Sequence, residues 1–374
     1  MRIAFRPGRL VLVLALALPV GSCDLGLPDP ASFVRDGSLA LDRGIDRGVD
    51  EGAADLSAPT RTAFSWPYAS SSPWNTPIGS AATYADDPVL SGFAGSFIVL
   101  TAVNVARAAA TDPMVTVTWN NDGDGTNLPC TLRVPRGVTG AAPVASNGWL
   151  VIIEPDGRTC HEFSRFDRLT DATAKAARNI TSAADAATRC ADCDIVSGEA
   201  LGSAAERAGS YISNGSIFAG LIREWELAAS GIDSIRHALA FGLDLSQLKK
   251  STSREETFTW PAMGSGSSWA TFGGTIPVGT LIALDPGVDV NTLGLSPAGA
   301  KIAWTLQRFG GYVTTSSASS SMYLMAEPVS FLPSKADLTA IRPHLRLVTN
   351  SAKDSVGGGG TYPPALWPPP TPVP

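Results

Sequence analysis

The sequence predicts a mainly β fold, an antiparallel β-sandwich or barrel with a few helical insertions. Short segments rich in β-branched and aromatic residues follow one another along the chain, separated by clusters of Gly, Pro, Asn and Asp. Helix signals are fewer and scattered. The hydrophobic fraction is 44% against a charged fraction of 17%, which excludes a wholly disordered chain. Five Cys among 374 residues exclude a disulfide-dense mini-protein. A net charge of −6 argues against a nucleic-acid partner.

The strand candidates are residues 97–105, 114–119, 149–154, 159–163, 235–241, 257–260, 281–284, 311–315, 322–326 and 345–348. Helices are expected over the Ala-rich 171–187 and over 217–229, with Ser216 as its N-cap. A third is expected over 297–309, with Ser296 as cap, Pro297 at the first helical position and Gly310 as the stop, and a fourth over 334–341.

The body holding these elements runs from residue 64 to 350 with no internal linker. Ahead of it, residues 1–22 have the form of an export signal. Arg2, Arg6 and Arg9 precede the apolar run LVLVLALALPV, which is too short to span a bilayer as a mature helix. Val20-Gly21-Ser22-Cys23 resembles the lipobox of bacterial lipoproteins. That resemblance implies acylation of Cys23 as the first mature residue, membrane anchoring through lipid, and a place in the bacterial cell envelope at the inner or outer membrane, facing periplasm or surface. Two or three acyl chains suffice for stable anchoring. Losing the leader's three Arg takes the formal charge from −6 to −9.

Residues 23–63 read as a solvated acidic tether. Three copies of an apolar-Asp-x-Gly unit span 41–52, and their period of four fits neither helix nor strand. Within it, residues 24–60 hold eight acids and three Arg and carry a net −5, over half of the mature charge. Residues 351–374 read as a disordered Gly/Pro-rich tail: Gly357 to Gly360 are consecutive and YPPALWPPPTPVP follows.

With Cys23 lipidated, Cys130, Cys160, Cys190 and Cys193 remain for two disulfides in an exported protein. The favoured pairing is Cys130–Cys160 with Cys190–Cys193. A zinc site would lack ligands.

Three constellations could carry chemistry. Asn120, Asp122 and Asp124 alternate ahead of Gly125, matching the first positions of a calcium loop, although position 12 is Thr131 rather than an acid. A structural calcium ion and a plain turn are both open readings. Next, Pro155-Asp156-Gly157 between apolar strands reads as a hairpin, with Asp156 in the turn. Glu154, Cys160 and Glu162 are expected on the face opposite Ile153, His161 and Phe163. Such carboxylates suit either acid/base work on a glycan or a solvated sheet face. Third, His237 lies beside Arg236 in an apolar strand candidate and is the best placed of three His for proton transfer. Arg223 and Glu226 share a helix face and could pair.

Ser72-Pro73-Trp74-Asn75-Thr76, the 156–163 stretch, Gly220-Leu221-Ile222-Arg223 with Glu226, Ile235-Arg236-His237-Ala238-Leu239 with Phe241, Trp260-Pro261-Ala262 and Leu306-Gln307-Arg308-Phe309-Gly310 resemble successive blocks of a group of secreted, β-rich bacterial proteins without an assigned activity. The resemblance covers most of the body in short blocks. It departs at Met263-Gly264, where that group often has a His, and in the Ser/Thr run after Gly310. Members sometimes accompany carbohydrate-binding modules, which implies a polysaccharide partner, and nine Trp suit sugar stacking as well as core filling.

The expectation is a lipid-anchored envelope protein that binds a polysaccharide. A cleaving version, lyase or glycoside hydrolase, would use His237 and Glu162 as base and acid, with Arg223 or Arg236 on a substrate carboxylate. Glu226 and Asp156 complete that candidate set. The alternative is a non-catalytic module for adhesion or envelope assembly.

Overall fold

Strands that alternate apolar residues on both faces need cover on both sides, and the strands at the centre of this chain do so. In β9 (Leu239–Asp244), Leu239, Phe241 and Leu243 enter one apolar cluster while Ala240 enters another. β10 (Leu281–Leu284) and β12 (Ser321–Ala326) divide in the same way. The structure, a computed structural model, describes residues 62–86, 93–119, 130–141, 148–177, 193–200, 211–228, 235–317, 320–363 and 366. The expected signal, Cys23, the tether, Cys190 and the Asn120, Asp122, Asp124 loop lie outside these residues.

Two sheets form the architecture, consistent with a β-sandwich. The first has the order β1-β12-β9-β11-β10-β13, where β1 is Ser96–Thr101, β11 is Gly311–Ser317 and β13 is Leu345–Leu347. The second runs β2-β5-β6-β7-β3-β4, with β8 (Cys193–Asp194) added beside β6. Its strands are β2 (Val103–Arg107), β3 (Met114–Trp119), β4 (Cys130–Arg133), β5 (Trp149–Ile153), β6 (Thr159–Arg168) and β7 (Thr173–Ala177). Both sheets are mixed rather than purely antiparallel. β1/β12, β9/β11, β2/β5 and β3/β7 pair in parallel, and each pair joins segments far apart in sequence.

The single strand expected over 97–105 is two. The chain leaves the first sheet after Thr101 and enters the second at Val103, the way strands turn the corner of a sandwich. Helices α2 (Pro297–Arg308) and α3 (Lys335–Ile341) form as expected and cover the outer face of the first sheet, through Ile302, Ala303, Leu306, Leu338 and Ile341. Asp337 joins them. Its carboxylate accepts from the N–H and hydroxyl of both Ser296 and Ser334, the two N-cap residues. Gly299 leaves room for this, since a Cβ there would lie 2.5 Å from the Asp337 carboxyl carbon.

Between the sheets lies a core of Val103, Trp149, Val151 and Ile153 against Ala240, Ala283, Tyr312, Tyr323 and Met325. The opposite face of the second sheet encloses Val115, Val117, Leu132, Leu150, Ile152, Phe163 and Phe166. That cluster draws on the second sheet and its connections, so this sheet curls around a core of its own. A register shift in β6 between Ser164 and Asp167, with Arg165 at φ 51°, marks the bend.

Several expectations need correction. Residues 173–177, inside the expected Ala-rich helix, are strand β7. Residues 257–260 form no strand, with a single 3-10 turn at Arg254–Thr257 and an isolated bridge at Phe258. The expected helix over 217–229 shrinks to α1 (Glu224–Ala228). Residues 351–363 do not trail away: Gly79, Ser80 and Ala81 donate their N–H groups to the carbonyls of Gly357, Thr361 and Gly359. Cys130 and Cys160 are both disulfide-bonded. Cys160 stands opposite Cys193 in the β6–β8 register and in a different apolar cluster from Cys130.

Candidate functional site

The site forms where the arm of residues 62–76 crosses the chain entering α1 and β9. The arm is shaped by its own polar groups. Asn75 donates through Nδ2 to the carbonyls of Pro67, Tyr68 and Ala69, and its Oδ1 accepts from Trp66 Nε1 at 3.0 Å. Ala238 N–H donates to the Trp74 carbonyl at 2.7 Å, which fastens the arm to the start of β9. Gly220, at φ 70°, lets the chain pass the Trp74 ring, since a Cβ there would lie 2.4 Å from the indole. A small pocket results, walled by Tyr68, Trp74, Asn75, Phe218, Arg223 and His237. It has room for about one water-sized group.

His237 occupies the bend ahead of β9 rather than a strand, and is buried. Its Nδ1 faces the Ala238 carbonyl at 2.9 Å and its Nε2 faces Glu226 Oε1 at 3.0 Å. Both partners are acceptors, so the ring satisfies them best by donating from both nitrogens, as an imidazolium. Burial alone would pull its pKa down. The charge and hydrogen bond of Glu226, with the Ala238 carbonyl, outweigh burial and hold it above the ordinary histidine value.

Glu226 Oε2 accepts the backbone N–H of Arg223 at 2.8 Å, half of a capping box at the start of α1. Lys301 reaches from α2 to the carbonyls of Glu226 and Leu227, both at 3.1 Å, and so closes the other end. Its pKa is lowered by burial, against the opposing pull of Glu226.

The expected side-chain pairing of Arg223 with Glu226 does not form. Arg223 Nε donates to Glu327 Oε2 at 2.9 Å and Nη1 to the Phe64 carbonyl at 3.1 Å. The guanidinium lies 4.6 Å from the Phe64 ring centroid and 5.0 Å from that of Phe218, held between two aromatic faces. Glu327 Oε1 in turn accepts the N–H of Glu224 at 2.7 Å.

Glu162 is not on a solvated face. It pairs with Val151 in register and points into the core between the sheets, 2% exposed. There it accepts from the Ser216 hydroxyl and, at 3.0 Å, from Ile217 N–H. Ser216, expected as an N-cap, instead links Glu162 to Tyr68, whose hydroxyl lies 2.5 Å away. Burial, with the Glu162 charge adding to it, pushes the neighbouring Tyr211 phenol well above its ordinary value. Glu162 thus stands behind the Tyr68 wall and does not line the pocket.

Glu154 is on the other face from that expected. Ile153, not Glu154, shares the Cys160 side of the hairpin, and Glu154 bonds His161 Nε2 at 3.1 Å. Asp156 is the turn residue, accepting from Arg158 N–H, Thr159 N–H and the Thr159 hydroxyl at 2.8, 2.9 and 2.7 Å. Arg236 is half-buried and does not line the pocket.

The structure therefore gathers Arg223, Glu226 and His237, and leaves Glu162, Arg236 and Asp156 apart from them. Sequence reasoning missed Tyr68, Phe64 and Glu327 as members, and gave Trp74 and Asn75 no role. The Ser72–Thr76 block carried a signal for the last two. Glu327 had none, because only the bridge between Ile222 and Ala326, at the end of β12, brings it to Arg223. Among the described residues no group of three or more His, Cys, Asp or Glu could hold a metal ion. No family model, curated protein or solved structure matches the chain.

Proposed function

We propose that this chain is an exported protein, lipid-anchored through Cys23, whose β-rich body binds a polysaccharide without cleaving it. The observation that carries the non-catalytic reading is the engagement of every candidate acid and base. Both nitrogens of His237 face acceptors, and both oxygens of Glu226 accept hydrogen bonds. Both oxygens of Glu162 also accept, behind a wall. A general base must come within hydrogen-bond reach of the substrate proton; Glu162 is walled off from the pocket, and His237, which lines it, already faces an acceptor at each nitrogen. The room is too small for a sugar ring between two carboxylates. Support for a glycan partner comes from the likeness to secreted β-rich proteins and from the envelope address. Aromatic walls beside a cation also suit recognition of a sugar acid.

The test incubates the Cys23→Ser chain with acidic and neutral polysaccharides, following binding by affinity electrophoresis and products by reducing ends and unsaturated-sugar absorbance. Binding without products is expected. Product release that is lost in His237→Gln would establish cleavage instead.

A further inference from the structure

We propose that the Arg223–Trp74 pocket takes a carboxylate, so that the ligand is an acidic glycan presenting a uronate group. This rests on the polysaccharide reading above and narrows it to one class.

The side-chain acceptors beside the pocket are already engaged. Glu226 accepts from His237 and from Arg223 N–H, and Glu327 accepts from Arg223 Nε and Glu224 N–H. The Asn75 oxygen is taken by Trp66. On the donor side, one group is left over. Trp74 is 3% exposed and its Nε1 meets no acceptor. A buried indole N–H without an acceptor is costly. Arg223, whose hydrogen bonds to Glu327 and Phe64 run through Nε and Nη1, walls the same pocket as Trp74 and brings a positive charge to it. The ligand that completes this site brings oxygen acceptors, and beside a guanidinium those are best carried by an anion.

Size selects among anions. The room fits an oxygen end and not a ring, so the sugar stays at the mouth, where Ser65 and Pro67 are half-buried. A carboxylate projecting from the ring can enter. A sugar hydroxyl carries no charge and so answers the guanidinium less well. The Phe64 and Phe218 faces fix the guanidinium plane before any ligand arrives, which lowers the ordering cost of binding.

The test is calorimetric titration of the Cys23→Ser chain with a tetragalacturonate and, in parallel, with a neutral tetraglucan. The uronate should bind and the neutral glycan should not. Trp74→Phe keeps a ring but removes the indole N–H, and Arg223→Lys keeps a charge but removes the fork. Each should weaken uronate binding by at least about tenfold. Thermal unfolding checks that both variants are folded, and Trp74→Phe carries the test if Arg223→Lys is not. Equal binding of both glycans overturns the carboxylate assignment and leaves the polysaccharide reading standing. Uronate binding unchanged in Trp74→Phe overturns the pocket as its site. Binding of neither glycan overturns the polysaccharide reading itself.

Discussion

Replacing Glu226 tests whether the His237 ion pair organises the site. Its carboxylate is 3% exposed with both oxygens engaged, one by an imidazole and one by the Arg223 N–H. Glu226→Ala removes both acceptors and leaves His237 buried beside no anion. Breaking a buried pair from one side costs about 3–5 kcal/mol, and little screening is available to a pair whose side chains are 9% and 4% exposed. Glu226→Gln differs in a defined way. Its oxygen can still accept from Arg223 N–H, and its amide can donate to a neutral His237 Nε2 while Nδ1–H stays on Ala238. The change replaces a charge-assisted bond with a neutral one, a loss of about 1–1.5 kcal/mol.

The two variants also separate by pH. The pKa of His237 is raised in the folded protein, so its stabilisation is fully present below the unfolded value of about 6.5 and is lost as pH rises through the higher folded value. Urea unfolding followed by Trp fluorescence, at pH 6 and pH 8, reads both effects. The parent should lose stability between those points, and Glu226→Gln should lose less. Equal destabilisation by Ala and Gln, or a pH dependence that Glu226→Gln leaves untouched, refutes the reasoning.

Two further substitutions probe the frame around the site. Asp337→Ala strips four accepted hydrogen bonds from the caps of α2 and α3 and should cost about 2–3 kcal/mol in urea unfolding, since a single cap is worth about 1. Gly220→Ala puts a Cβ 2.4 Å from the Trp74 ring and 2.7 Å from Ala240 N at a positive φ. It should lower stability by about 2 kcal/mol or more, and shift the Trp emission that reports Trp74.

The strands easiest to read were those with both faces apolar. β10 and β12 appear within a residue of expectation, because uninterrupted apolar runs between turn residues have few other uses. β7 was misread because alanine is the best helix former in isolation. Its place between β6 and β3 overrides that preference, and Ala174 and Ala176 alternate inward around exposed Lys175. At the site, Arg223, Glu226 and His237 were legible as residue types, but their partners were not. A guanidinium three residues from a carboxylate suggests a helix-face pair, yet Arg223 precedes the helix and turns to Glu327, which lies 104 positions away. The hairpin register keeps Glu162 on the Cys160 face, as alternation predicts, but moves Glu154 to the opposite one, because the turn shifts the pairing so that Ile153 faces Cys160.

The arm of residues 62–76 supplies half of the pocket wall and is also where the chain enters the body. It is held by Tyr68 N–H on the Ile195 carbonyl, Ala69 N–H on that of Gly198, and Arg223 on that of Phe64. In a body tethered from its N-terminal side, traction enters at Thr62 and is borne first by these bonds, before any strand of either sheet is loaded. Drag on a captured polymer and tension from the membrane would therefore meet at one place. Under the proposed anchor and ligand, the pocket and the mooring would share a single mechanical element.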